Sequence, residues 1–193
     1  MKKFKLKEIL NPTISLFLIC LIVTLLLSCT NFLTKNSIEL QKVKKDESAK
    51  KIVLPLAVTF EEKKYSDITY SIGTNADGKI VGFTFNTTSK GYGGTIEVMT
   101  GISADSKITG VTILSQNETP GLGANITNDS FINQFYRDIP QDGFKIKKGN
   151  AQNNNEINAI TGATISSNTV NDAINEAITQ YRKISSNGGY VNE

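Results

Sequence analysis

Hydrophobic and polar positions divide the 193-residue chain into three regimes. Residues 9–34 carry no charge, and Ile14 to Leu27 is nearly unbroken apolar sequence. With its flanks this run supplies roughly 20 membrane-spanning residues. Residues 35–51 are polar and Lys-rich, apolar at Ile38, Leu40 and Val43, which predicts a stalk continuing as a helix from the membrane. From Ile52 onward apolar and polar residues alternate between Gly-containing turns, the pattern of strands with one buried face. The expected organisation is a cytoplasmic tip and transmembrane anchor over 1–34, a stalk over 35–51, one domain over 52–184 and a flexible tail over 185–193.

An internal repeat orders the first half of that domain. A shift of 28 positions aligns Gly73 with Gly101, Ala76 with Ala104, Asp77 with Asp105, Lys79 with Lys107, Ile80 with Ile108, Gly82 with Gly110 and Thr84 with Thr112. Each copy reads strand, turn, strand. The first is Ile68–Ile72, Asp77-Gly78 and Ile80–Phe85; the second is Ile96–Thr100, Asp105-Ser106 and Ile108–Leu114. A Gly-rich loop follows each: Gly91-Tyr92-Gly93-Gly94, then Glu118-Thr119-Pro120-Gly121-Leu122-Gly123, whose Pro-Gly fits a type II turn. Such loops serve either as structural turns or as binding loops on a rigid sheet.

Asp129 to Tyr136 then predicts a short helix with Phe131, Ile132 and Phe135 inward. Gly143 to Lys148 predicts a strand. The closing helix runs to about Ile184. It carries Val170, Ala173, Ile174, Ala177, Ile178 and Tyr181 on one face, and Asn171, Asp172, Asn175, Glu176 and Gln180 on the other. The fold class is therefore α+β: an N-terminal transmembrane helix, then one domain whose antiparallel sheet comes from duplicated hairpins packed with helices.

Composition narrows the chemistry. There is no His, which excludes Ser-His-Asp and Cys-His catalysis and the usual zinc sites. Cys20 and Cys29 both lie in the apolar run and form no Cys-x-x-Cys, so neither a metal site nor a dithiol pair is expected. Redox work would need an organic cofactor. Of the net charge of +3, all resides in the first eleven residues, where Lys2, Lys3, Lys5 and Lys7 outnumber Glu8. The remainder balances 17 basic against 17 acidic residues, which argues against a nucleic-acid partner. Lysines ahead of the apolar run place the N-terminus in the cytoplasm and the domain outside. Two other readings share that outcome: a lipoprotein acylated at Cys29, forming a ligand-binding module, and a cleaved signal.

The stretch Thr161-Gly162-Ala163-Thr164-Ile165-Ser166-Ser167-Asn168 leads straight into the closing helix. A small-residue turn at a helix start leaves N–H groups free for a phosphate. A plain Ser/Thr-rich helix cap uses the same residues. This run, the Gly91–Ile96 loop, the Glu118–Gly123 loop and the single N-terminal span resemble, in the same order, the FMN-binding domain family. That family includes the G subunit of Rnf ion-translocating electron transport complexes and the C subunit of Na+-translocating NADH:quinone reductase, with the G subunit the nearer likeness.

The resemblance implies FMN held covalently by a phosphoester to Thr164, with Thr161, Gly162 and Ala163 in the attachment turn and Ser166 and Ser167 donating hydrogen bonds to the phosphate. It implies one wall of the ring site from Glu118, Thr119, Gly121, Leu122 and Gly123. Tyr92 either covers the ring or is a buried structural Tyr. The family's signature has an Asp three residues before the run; Asn158 stands there, keeping the shape and losing the charge. The implied partners are the other membrane subunits of a ferredoxin:NAD+ oxidoreductase complex, a maturing flavin transferase and membrane lipid. No complete active site is expected in this subunit.

Overall fold

The computed structural model describes residues 6–186; Lys2, Lys3 and Lys5 of the expected tip and residues 187–193 of the expected tail lie outside them. Helix α1, Leu6–Val53, is followed by strands β1 (Thr59–Tyr65), β2 (Ile68–Thr74), β3 (Ile80–Lys90), β4 (Thr95–Ser103) and β5 (Ile108–Ser115). A 3-10 turn (Gly123–Thr127), one turn of helix α2 (Asp129–Ile132) and a second 3-10 turn (Asn133–Phe135) come next. Strands β6 (Lys145–Lys147) and β7 (Glu156–Asn158) precede helix α3, Thr164–Ser186.

Two compact units divide at Lys44/Lys45. In the first, α1 is long and apolar enough to cross a membrane. Its side chains from Ile14 to Leu27 are exposed, ready for lipid. Ser15, Thr24, Thr30 and Thr34 each return their hydroxyl to the carbonyl four residues back, which satisfies them without water.

The second unit is built on an antiparallel sheet in the order β1-β2-β3-β4-β5. The repeat reappears in the register and turn closure of the two hairpins. Gly73 pairs with Gly82 in one hairpin and Gly101 with Gly110 in the other, and the register slips after Gly73 and after Gly101. Each turn closes through the same donors: Asn75 N–H to the Lys79 carbonyl and Ser103 N–H to the Lys107 carbonyl. Asn75 Oδ1 accepts the Lys79 N–H, as Ser103 Oγ accepts that of Lys107.

These paired glycines make a flat outer face onto which the end of α1 settles. A Cβ on Gly73 or Gly82 would fall 2.4 or 2.8 Å from the Leu54 side chain. On Gly101 or Gly110 it would fall 2.1 or 2.5 Å from Val53 backbone atoms. Val53 and Leu54 are 0% and 1% exposed. The Val53 carbonyl accepts the Thr109 hydroxyl at 2.6 Å, and Lys45 Nζ donates to the Leu114 carbonyl. Ala49, Val53, Met99 and Leu114 form a small outer core. Lys45 to Lys51, which composition assigns to the stalk, thus belong to the packed unit.

The main core lies on the opposite face, where Phe83, Phe85, Ile96, Val98 and Ile102 meet Val170, Ala173, Ile174, Ala177, Ile178 and Tyr181 of α3. Phe131, Ile132 and Phe135 are buried as expected. The α3 face expected to be polar is not all solvated. Asn171 is buried, and Asn171 and Asn175 both donate to the Phe144 carbonyl while Asn175 Oδ1 accepts the Phe144 N–H at 2.8 Å. These amides fasten the entry to β6, which pairs with β7 in parallel.

Candidate cofactor site

Three segments far apart in sequence converge at the start of α3: the Gly91–Gly94 loop leaving β3, the Glu118–Gly123 loop leaving β5, and the turn before Thr164. Glu118 ties them together. It is 5% exposed; Oε1 accepts the Gly93 N–H at 2.9 Å and Oε2 accepts the Ser166 hydroxyl at 2.6 Å. The glycines around it are required by this crowding. A Cβ on Gly91 would fall 2.4 Å from Oε1, and one on Gly123 2.5 Å from Oε2. Gly121 and Gly162 instead supply left-handed backbone, with φ of 77° and 78°.

Between the segments opens a cavity of about 520 Å³, lined by Tyr92, Glu118, Thr119, Leu122, Gly123, Gly162, Ala163, Thr164, Ile165 and Ser166. That volume suits a cofactor-sized ligand. Among the described residues after β1 begins, five large hydrophobic side chains are exposed: Tyr65, Tyr92, Leu122, Tyr136 and Ile165. Three of the five line this cavity, a concentration that marks a binding surface. Tyr92 is 75% exposed, which removes the buried structural alternative. Sequence reasoning does not single out Ile165; its exposure beside an otherwise buried helix start is the signal that finds it.

Thr164 is half-buried on the first turn of α3. Its hydroxyl makes no hydrogen bond to another described residue. The reason is positional: Thr169 and Thr179 reach the carbonyl four residues back, but a first-turn Thr has no helical carbonyl behind it. The N–H groups of Thr164, Ile165 and Ser166 have no helical carbonyl behind them either, whereas that of Ser167 donates to the Ala163 carbonyl. The first three residues of α3 thus line the recess at the positive end of the helix dipole, an arrangement that fits a phosphate-bearing cofactor.

The remaining expected residues are placed as follows. Ser166 lines the cavity, but its proton goes to Glu118. Ser167 does not serve a phosphate: it is fully buried, donates to the Ala163 carbonyl at 2.9 Å and accepts the Ile160 N–H at 3.0 Å, so it caps the turn. Thr161 and Gly121 lie one residue outside the lining. Asn158 lies apart, in a shallow recess with Gln134, Asn125 and Asn128. Its Oδ1 accepts the Ala151 N–H at 2.6 Å and its own N–H donates to Gln134 at 2.7 Å.

Residues 91–179, which contain all three segments, match the model of the FMN-binding domain. The fold is shared with NqrC of Shewanella oneidensis, at a TM-score of 0.55 and 18% identity over 68% of this chain and 73% of that one. It is shared too with the C subunit of the Na+-translocating NADH-quinone reductase of Parabacteroides distasonis, at 0.50 and 26% over 60% and 62%. In sequence, the chain is 34% identical to the G subunit of the ion-translocating oxidoreductase complex of Methanosarcina acetivorans, over 89% of this chain and 94% of that protein. It is 35% identical to the G subunit of the Na+-translocating ferredoxin:NAD+ oxidoreductase complex of Acetobacterium woodii, over 93% and 94%. With a cofactor recess at the matching motifs and a match running nearly end to end, the chain belongs to the family of G subunits of ion-translocating oxidoreductase complexes.

Proposed function

We propose that this chain is an electron-carrying subunit of an Rnf-type complex, holding FMN through a phosphoester to Thr164. In this reading α1 anchors it in the membrane beside the other subunits, and the flavin-bearing domain faces away from the cytoplasm. The observation that carries the reading is the Thr164 hydroxyl, without a hydrogen-bond partner among the described residues, in the lining of the 520 Å³ cavity and on the first turn of a 23-residue helix. End-to-end similarity to G subunits supports the Rnf-type assignment over the quinone reductase, whose C subunits share the fold. The lysines preceding the apolar run support the orientation.

Bound FMN supplies the redox chemistry, which no side chain of a His-free chain without paired cysteines offers. The protein's own residues hold and shield it. The first-turn N–H groups of α3 receive the phosphate. Leu122 and Ile165 give apolar contact, and Tyr92 brings an aromatic face to the rim. Glu118 keeps the loops in register through Gly93 and Ser166.

A Thr hydroxyl is a weak nucleophile, and Glu118, the carboxylate in the lining, has both oxygens engaged. We therefore assign attachment to a separate flavin transferase. The Thr164 oxygen displaces AMP from the flavin-side phosphorus of FAD, giving the phosphoester, AMP and a proton. Expressed in a host with this machinery, the chain should fluoresce under ultraviolet light on a denaturing gel, and its Thr164 peptide should gain the mass of FMN. Thr164→Val should abolish both and Thr164→Ser retain them. Fluorescence that survives Thr164→Val would falsify the assignment, and diacylglycerol on Cys29 with bare Thr164 would favour a lipoprotein binding module instead.

A further inference from the structure

We infer that Glu118 keeps the cofactor cavity electrically negative and so holds the flavin's midpoint potential down; this rests on the proposed FMN at Thr164. Among the described residues no Lys or Arg lines the cavity, and Glu118 is the one side chain there with a formal charge. It is 5% exposed, and both oxygens accept hydrogen bonds from neutral donors, the Gly93 N–H and the Ser166 hydroxyl. Burying a carboxylate with no counter-charge is unfavourable.

The bridging role does not need that charge. A Gln of the same length would accept from Gly93 through its carbonyl and donate to Ser166 through its amide. Gly91 and Gly123 leave room for this side chain and for no Cβ of their own. The charge is therefore kept for an effect other than bridging. A ring that takes up two electrons and one solvent proton gains one unit of negative charge. A buried carboxylate in the wall of the same recess opposes that gain and shifts the equilibrium toward the oxidised ring.

The test is a spectroelectrochemical titration of the full flavinylated chain in detergent, with in-gel fluorescence reporting attachment separately. Glu118→Gln should raise the midpoint by about 30 mV, a roughly tenfold change in a two-electron equilibrium. Glu118→Asp, which keeps the charge while shortening the bridge, should stay near wild type. Leu122→Lys, a cation on a half-exposed lining residue, should raise the midpoint as Glu118→Gln does and covers the case in which that variant fails to fold. A fluorescent Glu118→Gln or Leu122→Lys chain with an unchanged or lower midpoint overturns the inference alone. So does Glu118→Asp matching Glu118→Gln, which would assign the shift to geometry. A wild-type chain without FMN overturns the flavin reading, and this inference with it.

Discussion

Gly101→Ala tests whether the duplicated glycines exist to seat the end of α1. The added Cβ would lie 2.1 Å from the Val53 carbonyl oxygen and 2.7 Å from its carbon. Reaching even 3.0 Å needs a retreat of about 0.9 Å by backbone that is wholly buried. Overpacking of this kind costs about 1–3 kcal/mol. The same carbonyl accepts the Thr109 hydroxyl, and losing that bond adds about 1 kcal/mol. A total of about 2–4 kcal/mol corresponds to a fall of roughly 6–12 °C in Tm for a unit of this size. Thermal unfolding of the full chain in detergent, followed by sheet circular dichroism, reads it.

The equivalent Gly73→Ala supplies a sharper contrast, because its Cβ meets the Leu54 side chain at 2.4 Å rather than backbone. Leu54→Ala should therefore relieve Gly73→Ala by about 0.5–3 kcal/mol, whereas Val53→Ala should leave Gly101→Ala as damaging as before. The reasoning is refuted if Gly101→Ala melts within 2 °C of wild type, a margin of roughly 0.5 kcal/mol. It is equally refuted if Val53→Ala rescues Gly101→Ala as fully as Leu54→Ala rescues Gly73→Ala.

Other outcomes follow from single contacts. Asn175→Ala strips the Phe144 N–H of its acceptor and leaves the Phe144 carbonyl with Asn171 alone, and should cost about 1–3 kcal/mol in denaturant unfolding, with Asn175→Asp, which keeps the acceptor, losing less. The Glu156 carboxyl is held down from 4.5 to about 2, first by the Gln152 N–H and then by Lys147. Its folded value lies below its unfolded one, so its contribution is complete above about pH 4.5 and disappears as pH falls through about 2. Amide exchange in residues 145–158 should quicken across that window, and Glu156→Gln should flatten the dependence. Thr164→Val should leave the thermal stability of the unmodified chain within about 0.5 kcal/mol of wild type, because the hydroxyl makes no hydrogen bond to another described residue.

The two hairpins are legible in sequence because turn chemistry and alternation agree at Asp77-Gly78 and again 28 residues on. Strand β1 is not: Thr59-Phe-Glu-Glu-Lys-Lys-Tyr65 is an exposed edge, where charge blunts further pairing and erases the apolar alternation. The four paired glycines announce a close approach, but nothing local names Val53 and Leu54 as the visitors. Periodicity puts Asn171 and Asn175 on the outer side of α3, since it registers polarity and cannot see a backbone docked against it. In the site, the three motifs are readable as separate strings. Their junction at Glu118, the capping use of Ser167 and the exposed Ile165 depend on how loops distant in sequence come to rest.

The twin turns have diverged. Gly78 takes its left-handed backbone without steric cost and contacts only its own hairpin among the hydrogen bonds described, while Ser106, at φ 62°, carries a side chain in the same disfavoured conformation. Ser106 Oγ meets the Tyr181 hydroxyl at 3.0 Å, and its carbonyl accepts the Ile139 N–H. The first hairpin thus ends in a simple bend, whereas the second is tied to the far half of α3. A glycine grafted into the second copy would restore symmetry, ease the backbone and loosen one tie to the helix, leaving Tyr181 its bond to the Ala104 carbonyl.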